Sequence, residues 1–197
     1  MNPPAIEGQD QQDMARITGG DDHALNDLMA RYSEPIFHFL IRLLQDETTA
    51  AELAQETFVR VYQHRHQFRA RHKFSSWLYT IANNLARDRL RWLARHPHVS
   101  LDNEPKSPDL GYQNRLVEPR ADPSRHLETE ERAATVQRAV QSLPEELRVP
   151  LILAEYEERS QAEIARILGC SVKAVEMRLY RARQQLRTKL QPLLETL

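Results

Sequence analysis

Between Lys173 and Lys189 the chain carries six lysines and arginines and a single acid, Glu176. At the angular step of an α-helix, Lys173, Met177, Tyr180, Arg181 and Gln184 share one face, with Glu176 and Arg178 at its margins. A guanidinium in such a row can bond bidentately to guanine, and a carboxylate can accept from the cytosine amino group. The remaining cations suit phosphate, which positions a protein on DNA without reading sequence. Arg183 and Arg187 lie further round the helix and later along it, so they are expected to reach phosphate or pack on preceding helices. The face is long enough to enter a major groove. The plainer alternative is a solvated basic helix.

The neighbouring residues favour the groove. Ser160 and Glu163 form a capping box, so a helix starts at Gln161, and Ile164, Ile167 and Leu168 give it an apolar side. Gly169 is placed to end that helix in a left-handed turn. Ser171 then caps a second helix whose Val175, Leu179, Ala182, Leu186 and Leu190 form one buried stripe. Two helices joined by about three residues, with small Ala165 at their crossing, describe a helix-turn-helix. Cys170 sits in its turn as a small structural residue; as the only cysteine it allows neither an internal disulfide nor a thiolate zinc site.

A second cluster lies upstream. Ser75 or Ser76 is expected to cap a helix reaching to about Arg95, with Leu78, Ile81, Ala82, Leu85 and Trp92 inward. Trp77, Asn84 and Arg91 are spaced by seven along one flank, with Asp88 and Arg95 close to it. An aromatic ring, an amide and a guanidinium in a row can stack on and hydrogen-bond unpaired bases. Equally, Trp77 can be a core residue and the others a solvated edge.

Few aromatics, five glycines and abundant Ala, Leu, Arg, Glu and Gln in 197 residues point to an all-α protein of one or two small domains. The net charge of −1 conceals segregation: residues 1–59 hold eleven acids and three bases, residues 60–99 nine bases and one acid. The local fields therefore suit nucleic acid although the total is balanced. No apolar run approaches the length of a membrane span, and the start MNPPAIEGQD lacks the regions of a signal peptide, so the expected location is cytoplasmic. His64, His66 and His72 face different ways on a helix, which argues against a metal site. No nucleophile–base pair or phosphate cradle argues for an enzyme, and no cofactor is implied.

Along the chain, residues 1–13 read as a mobile polar tail. Residues 14–95 read as a four-helix bundle. Gly19–Gly20–Asp21–Asp22 turns into a helix with Leu25, Leu28, Met29 and Tyr32 on one side; Pro35 starts the next, with Ile36, Phe39, Leu40, Leu43 and Leu44 inward. Thr49 and Glu52 form a capping box for a third, and the basic helix is the fourth. Residues 96–126, with Pro97, Pro105, Pro108, Pro119 and Pro123, read as a Pro-rich linker. Residues 127–197 hold a helix from near Leu127 with Ala133, Val136, Val140 and Leu143 inward. A helix opened by Pro144 follows, with a kink or early break expected at Pro150, and then the helix-turn-helix.

Four segments taken in order, ELAQETFVRVY at 52–62, FSSWLYTIANNLARDRLR at 74–91, LPEELR at 143–148 and EIARILGCSVKAVEMRLYRAR at 163–183, resemble a bacterial sigma factor of the extracytoplasmic-function group, sigma-70 family. The resemblance implies region 2 in residues 14–95, region 4 in residues 127–197, and no catalytic residue. It implies that Asp46, Glu52, Gln55 and Glu56 dock on the clamp helices of the core RNA polymerase largest subunit. It implies that Trp77, Asn83, Asn84, Arg87 and Arg91 contact the −10 element of promoter DNA, with Asn84 matching the position that holds a flipped base. It further implies that Lys173, Glu176, Met177, Arg178, Tyr180, Arg181 and Arg183 contact the −35 element, that region 4 also meets the polymerase flap, and that an anti-sigma factor is a partner. Three departures stand out: Ala51–Glu52 where two adjacent acids are common, Glu158–Arg159 where a glycine and an apolar residue are common, and Glu176 at a base-facing position. The rival from another class is a one-component helix-turn-helix repressor or activator, with residues 1–95 as its ligand or dimerisation domain.

Overall fold

The computed structural model describes residues 4–96 and 123–194. Most of the expected linker therefore lies outside the described residues. Those described form an all-α fold of eight helices: α1 (Pro4–Thr18), α2 (His23–Leu44), α3 (Glu47–Gln63), α4 (Phe74–Arg95), α5 (Pro123–Gln141), α6 (Glu145–Glu155), α7 (Gln161–Leu168) and α8 (Val172–Leu194), with a 3₁₀ turn at Arg65–Gln67. Helices α1–α4 make the first bundle, and α5–α8 the unit that carries the helix-turn-helix. The two meet where α4 packs on α7 and α2 on α6, so their buried residues join one apolar cluster.

Residues 4–13, expected to belong to a mobile tail, lie instead in α1, and residues 1–3 lie outside the described residues. Met14 and Ile17 of α1 are buried in the core, and so are Asp10 and Asp13. Arg31 lies 3.0 Å from Asp10 and also pairs with Asp13, while the Tyr32 hydroxyl donates to Asp10. Burial pushes the Asp10 carboxyl above its ordinary range, against the pull of Tyr32 and Arg31. A segment held by buried ion pairs shows no apolar period, which is why it reads as a tail. Removing one partner from such a cluster leaves a buried charge uncompensated, so the seating of α1 depends on these pairs staying intact.

Helix α2 runs unbroken through Pro35, where the sequence predicts a new start. A mid-helix proline costs about 3 kcal/mol. Leu28 and Tyr32 before it, and Ile36, Phe39, Leu40 and Leu43 after it, are all buried. At about 1.5–3 kcal/mol for each large apolar side chain, that burial outweighs the lost hydrogen bond. The same reasoning explains α6, which continues through the buried Pro150 without the expected break.

Two caps also differ. Asp46, not the Thr49–Glu52 pair, caps α3: its carboxylate accepts from the Thr49 N–H at 3.1 Å and from the Thr49 hydroxyl at 3.0 Å. Helix α4 begins at Phe74 with no side-chain cap, and Ser75 and Ser76 are buried inside its first turn. Its start is fixed by packing, since Phe74 meets Tyr32 edge-on at 5.4 Å. In the second unit α5 starts at Pro123, the first helical position that proline fits best, and Ala133 is exposed rather than inward.

Candidate nucleic-acid interface

The helix-turn-helix follows its expected construction closely. The Ser160 N–H donates to the Glu163 carboxylate at 2.9 Å, and the Glu163 N–H donates back to the Ser160 hydroxyl at 3.3 Å. Burial opposes ionisation of Glu163, but the bonds from Ser160 and Lys73 outweigh it and hold the carboxyl below its usual range. Such a cap is worth about 1 kcal/mol. Gly169 closes α7 at φ +62°, a left-handed conformation that a side chain would strain. Ser171 accepts from the Ala174 N–H at 3.1 Å and starts α8, whose Val175, Leu179 and Ala182 are buried.

Seating that stripe turns the opposite face of α8 outward. Lys173, Glu176, Met177, Tyr180, Arg181, Gln184 and Arg187 are exposed. Met177 and Tyr180 are 41% and 59% exposed, large apolar side chains with no core to explain them. They suit thymine methyl groups and sugar edges. Arg178 is half-buried, its guanidinium 3.7 Å from the Cys170 sulfur. Arg183 turns back to Glu155 of α6 at 2.7 Å, the packing alternative of the two expected for it. With both partners about half exposed, that pair is weak and can yield to phosphate. Gln161, the first residue of α7, joins the groove along this face and was not among the expected contacts. Its place just after the helix cap is the signal that could have found it.

The α4 flank is built differently. Trp77 is half-buried among Phe68 at 5.4 Å and Phe74 at 6.2 Å, so it belongs to a core edge and still lines a surface pocket with Gln67, Phe68, Arg69, His72 and Ser76. The two readings of Trp77 are therefore compatible. Asn84 is exposed and accepts from Arg87 at 3.0 Å, and Arg91 is exposed beside Asp88. Asn83 is buried, facing with Arg87 a cleft lined by Glu145, Glu146 and Arg178 of the second unit. Of the five residues expected at the −10 element, Asn84 and Arg91 lie open, Trp77 is half-open, and Asn83 and Arg87 face that cleft. Near the end of α4 the His96 ring stacks on Trp92 at 4.7 Å and Arg89 lies over the same indole, so Trp92 is only half-buried.

A third surface lies on α3. Glu52 and Gln55 are exposed, and Glu56 pairs with Arg60 at 2.9 Å. Val59, 46% exposed, continues the same face at i+7 from Glu52 and was missed because a lone valine looks like core. Asp46 sits at the start of α3 as its cap.

Residues 28–96 match the family model for sigma-70 region 2, and residues 133–186 match that for sigma-70 region 4. The RNA polymerase sigma-H factor of Pseudomonas aeruginosa is 35% identical over 186 residues, covering 94% of this chain and 96% of its own. The ECF RNA polymerase sigma factor SigW of Bacillus subtilis is 32% identical, covering 90% of this chain and 95% of its own. Among solved structures, CnrH in complex with the cytosolic domain of CnrY superposes with a TM-score of 0.68 at 25% identity, over 93% of this chain and 98% of that one.

Proposed function

The chain belongs to the extracytoplasmic-function group of the sigma-70 family, and on that premise we propose that it binds core RNA polymerase and directs promoter-specific initiation. Helices α1–α4 act as region 2 and α5–α8 as region 4. The exposed α8 face reads the −35 element as duplex, with Arg181 and Glu176 on base edges and the other cations on phosphate. The α4 flank opens the −10 element: Asn84 and the aromatic pocket at Trp77 capture extruded bases, which offsets the few kcal/mol spent on unstacking. Glu52, Gln55, Glu56 and Asp46 on α3 dock on the polymerase clamp helices, with Val59 as an apolar contact. The chemistry is the polymerase's, so the chain needs no catalytic residue, and its place is with polymerase and DNA in the cytoplasm. No described helix is long and apolar enough to cross a membrane.

One observation carries this reading: the two matched regions stand in order in one chain, each with an outward basic helical face. A one-component repressor or activator does not account for the match of the N-terminal half to region 2. An anti-sigma factor is a further partner in this reading, supported by the similarity to CnrH, solved with the cytosolic domain of a second protein. The test is reconstituted transcription. Core polymerase plus this chain is expected to give a defined transcript from a cognate promoter. Gln55→Ala with Glu56→Ala is expected to reduce core binding at least about tenfold, as loss of charge-assisted contacts of about 1.5 kcal/mol implies, with helix content unchanged. No added initiation on any promoter of the source genome would overturn the assignment.

A further inference from the structure

Between His64 and Lys73 the chain carries four lysines and arginines, three histidines and no acid. Such a segment repels itself, and apart from the 3₁₀ turn at Arg65–Gln67 no regular element holds it. Yet Gln67, Phe68, Arg69 and His72 of this stretch form one wall of the Trp77 pocket. Helix α1 supplies the hold. Glu7 and Gln11, one turn apart, face the segment: the Gln11 amide donates to the Ala70 carbonyl at 2.8 Å, and Glu7 pairs with Lys73, the residue before α4, at 3.3 Å. Lys73 also pairs with Glu163 at 3.3 Å. On its inner side α1 reaches the floor of the same pocket. Asp10 accepts from the Tyr32 hydroxyl, Tyr32 meets Phe74 edge-on, and Phe74 lies 6.0 Å from Phe68 and 6.2 Å from Trp77.

We propose that α1 is the positioning element of this pocket: Gln11 and Glu7 hold the Phe68–Lys73 segment, and Asp10 holds Tyr32 behind Phe74, so that the walls around Trp77 keep their shape while the DNA strands part. This rests on the assignment of the pocket to extruded −10 bases. Gln11 and Glu7 are then positioning residues for base capture, acting through the segment they brace without touching DNA.

Two arguments support it. Ala70 is exposed, so water could satisfy its carbonyl; the bond from Gln11 therefore fixes where the segment lies rather than relieving a buried group. The second is the make-up of α1. Among its described side chains only Met14 and Ile17 are buried apolar ones, whereas Glu7, Asp10 and Gln11 each bond a polar partner. A helix added for core volume alone would show the reverse. Directional bonds fix a geometry that apolar contact leaves free to slide. A segment left loose would have to be ordered as the base arrives, and that entropy cost would subtract from capture.

The test uses the full chain and the near-isosteric Gln11→Met, which lacks the donor. In a Trp92→Phe background Trp77 is the only tryptophan, and its quenching by acrylamide reads the pocket directly. Gln11→Met is expected to raise that quenching about twofold while leaving the helical circular dichroism unchanged. Loaded on core polymerase, it is expected to bind a single-stranded oligonucleotide bearing the −10 element of a transcribed promoter about two- to fivefold more weakly, because losing one hydrogen bond lowers the shaped fraction by up to that much. Affinity for core polymerase and for a duplex −35 fragment is expected to stay parental, which general loosening of the bundle would not allow. Hydrogen exchange at Phe68 and His72 of the parent chain is expected to be at least about tenfold slower than in an unstructured peptide. Free exchange there overturns the brace, and that measurement needs no variant to fold. A parent holoenzyme that binds a scrambled oligonucleotide equally well refutes base capture itself, and the brace with it. Preference for the −10 sequence, with parental quenching and affinity in Gln11→Met, refutes the brace alone.

Discussion

Helices α4 and α8 both present basic faces, yet they are prepared differently for DNA. The face of α8 opposite its buried stripe is exposed, and the helix packs against α5, α6 and α7 of its own unit, so in the proposed reading the duplex-reading surface is formed before DNA arrives. The α4 flank is half-covered: Asn83 and Arg87 face the second unit, while Trp77 divides its ring between a core edge and a pocket. In the proposed reading the difference follows from the substrates. Duplex DNA offers its base edges to a preformed helix without being disturbed. An unpaired base exists only after melting, and a stacking pocket kept partly covered is not occupied until then.

That contrast is broken most severely at Trp77. Trp77→Ala is expected to lose about 2–3 kcal/mol of stability, somewhat below the full cost for a buried tryptophan, along with −10 opening. Asn84→Ala is exposed and is expected to change stability by less than about 0.5 kcal/mol while reducing open complexes. Thermal unfolding of the two variants checks the distinction. Equal stability would mean that Trp77 is not part of the core edge.

On α8 the expected effects are smaller and of two kinds. Glu176→Ala and Arg181→Ala are expected to change the preferred −35 sequence, each with about 1–3 kcal/mol of discrimination. Arg187→Ala is expected to weaken all sequences about equally and to shallow the salt dependence by about one phosphate contact. Selection from a randomised −35 library at two salt concentrations measures both. If Arg181→Ala kept the parental preference and lost only salt-dependent affinity, the groove face would lie elsewhere on the helix.

The contrast also marks what the sequence reveals. The helix-turn-helix is legible almost residue by residue because its determinants are local: a capping box, a left-handed glycine and a 3.6-residue period all sit within Ser160–Leu190. Elsewhere tertiary packing overrides local signals. Pro35 reads as a helix start and is carried through α2 by the core on both sides. Thr49 and Glu52 read as a cap, yet Asp46 supplies it, and Ser75 and Ser76 read as caps but are buried in α4. The polar α1 gives no period at all, because Asp10 and Asp13 are anchored by Arg31 and Tyr32 some twenty residues away. Glu157 and Arg159 are equally silent in the sequence, since their partners Arg42, Ser75 and Tyr79 lie far upstream.

The division of labour between the two helices is tested most directly by permanganate footprinting of complexes with core polymerase. With Asn84→Ala, binding at the −35 element is expected to persist while thymine reactivity across the −10 element falls. With Arg181→Ala, occupancy of the parental duplex promoter is expected to fall by about 1–3 kcal/mol, the lost discrimination, and transcript yield to recover on a promoter whose −10 segment is already unpaired. Parental −10 reactivity in Asn84→Ala, or no rescue of Arg181→Ala by the unpaired promoter, would contradict the account.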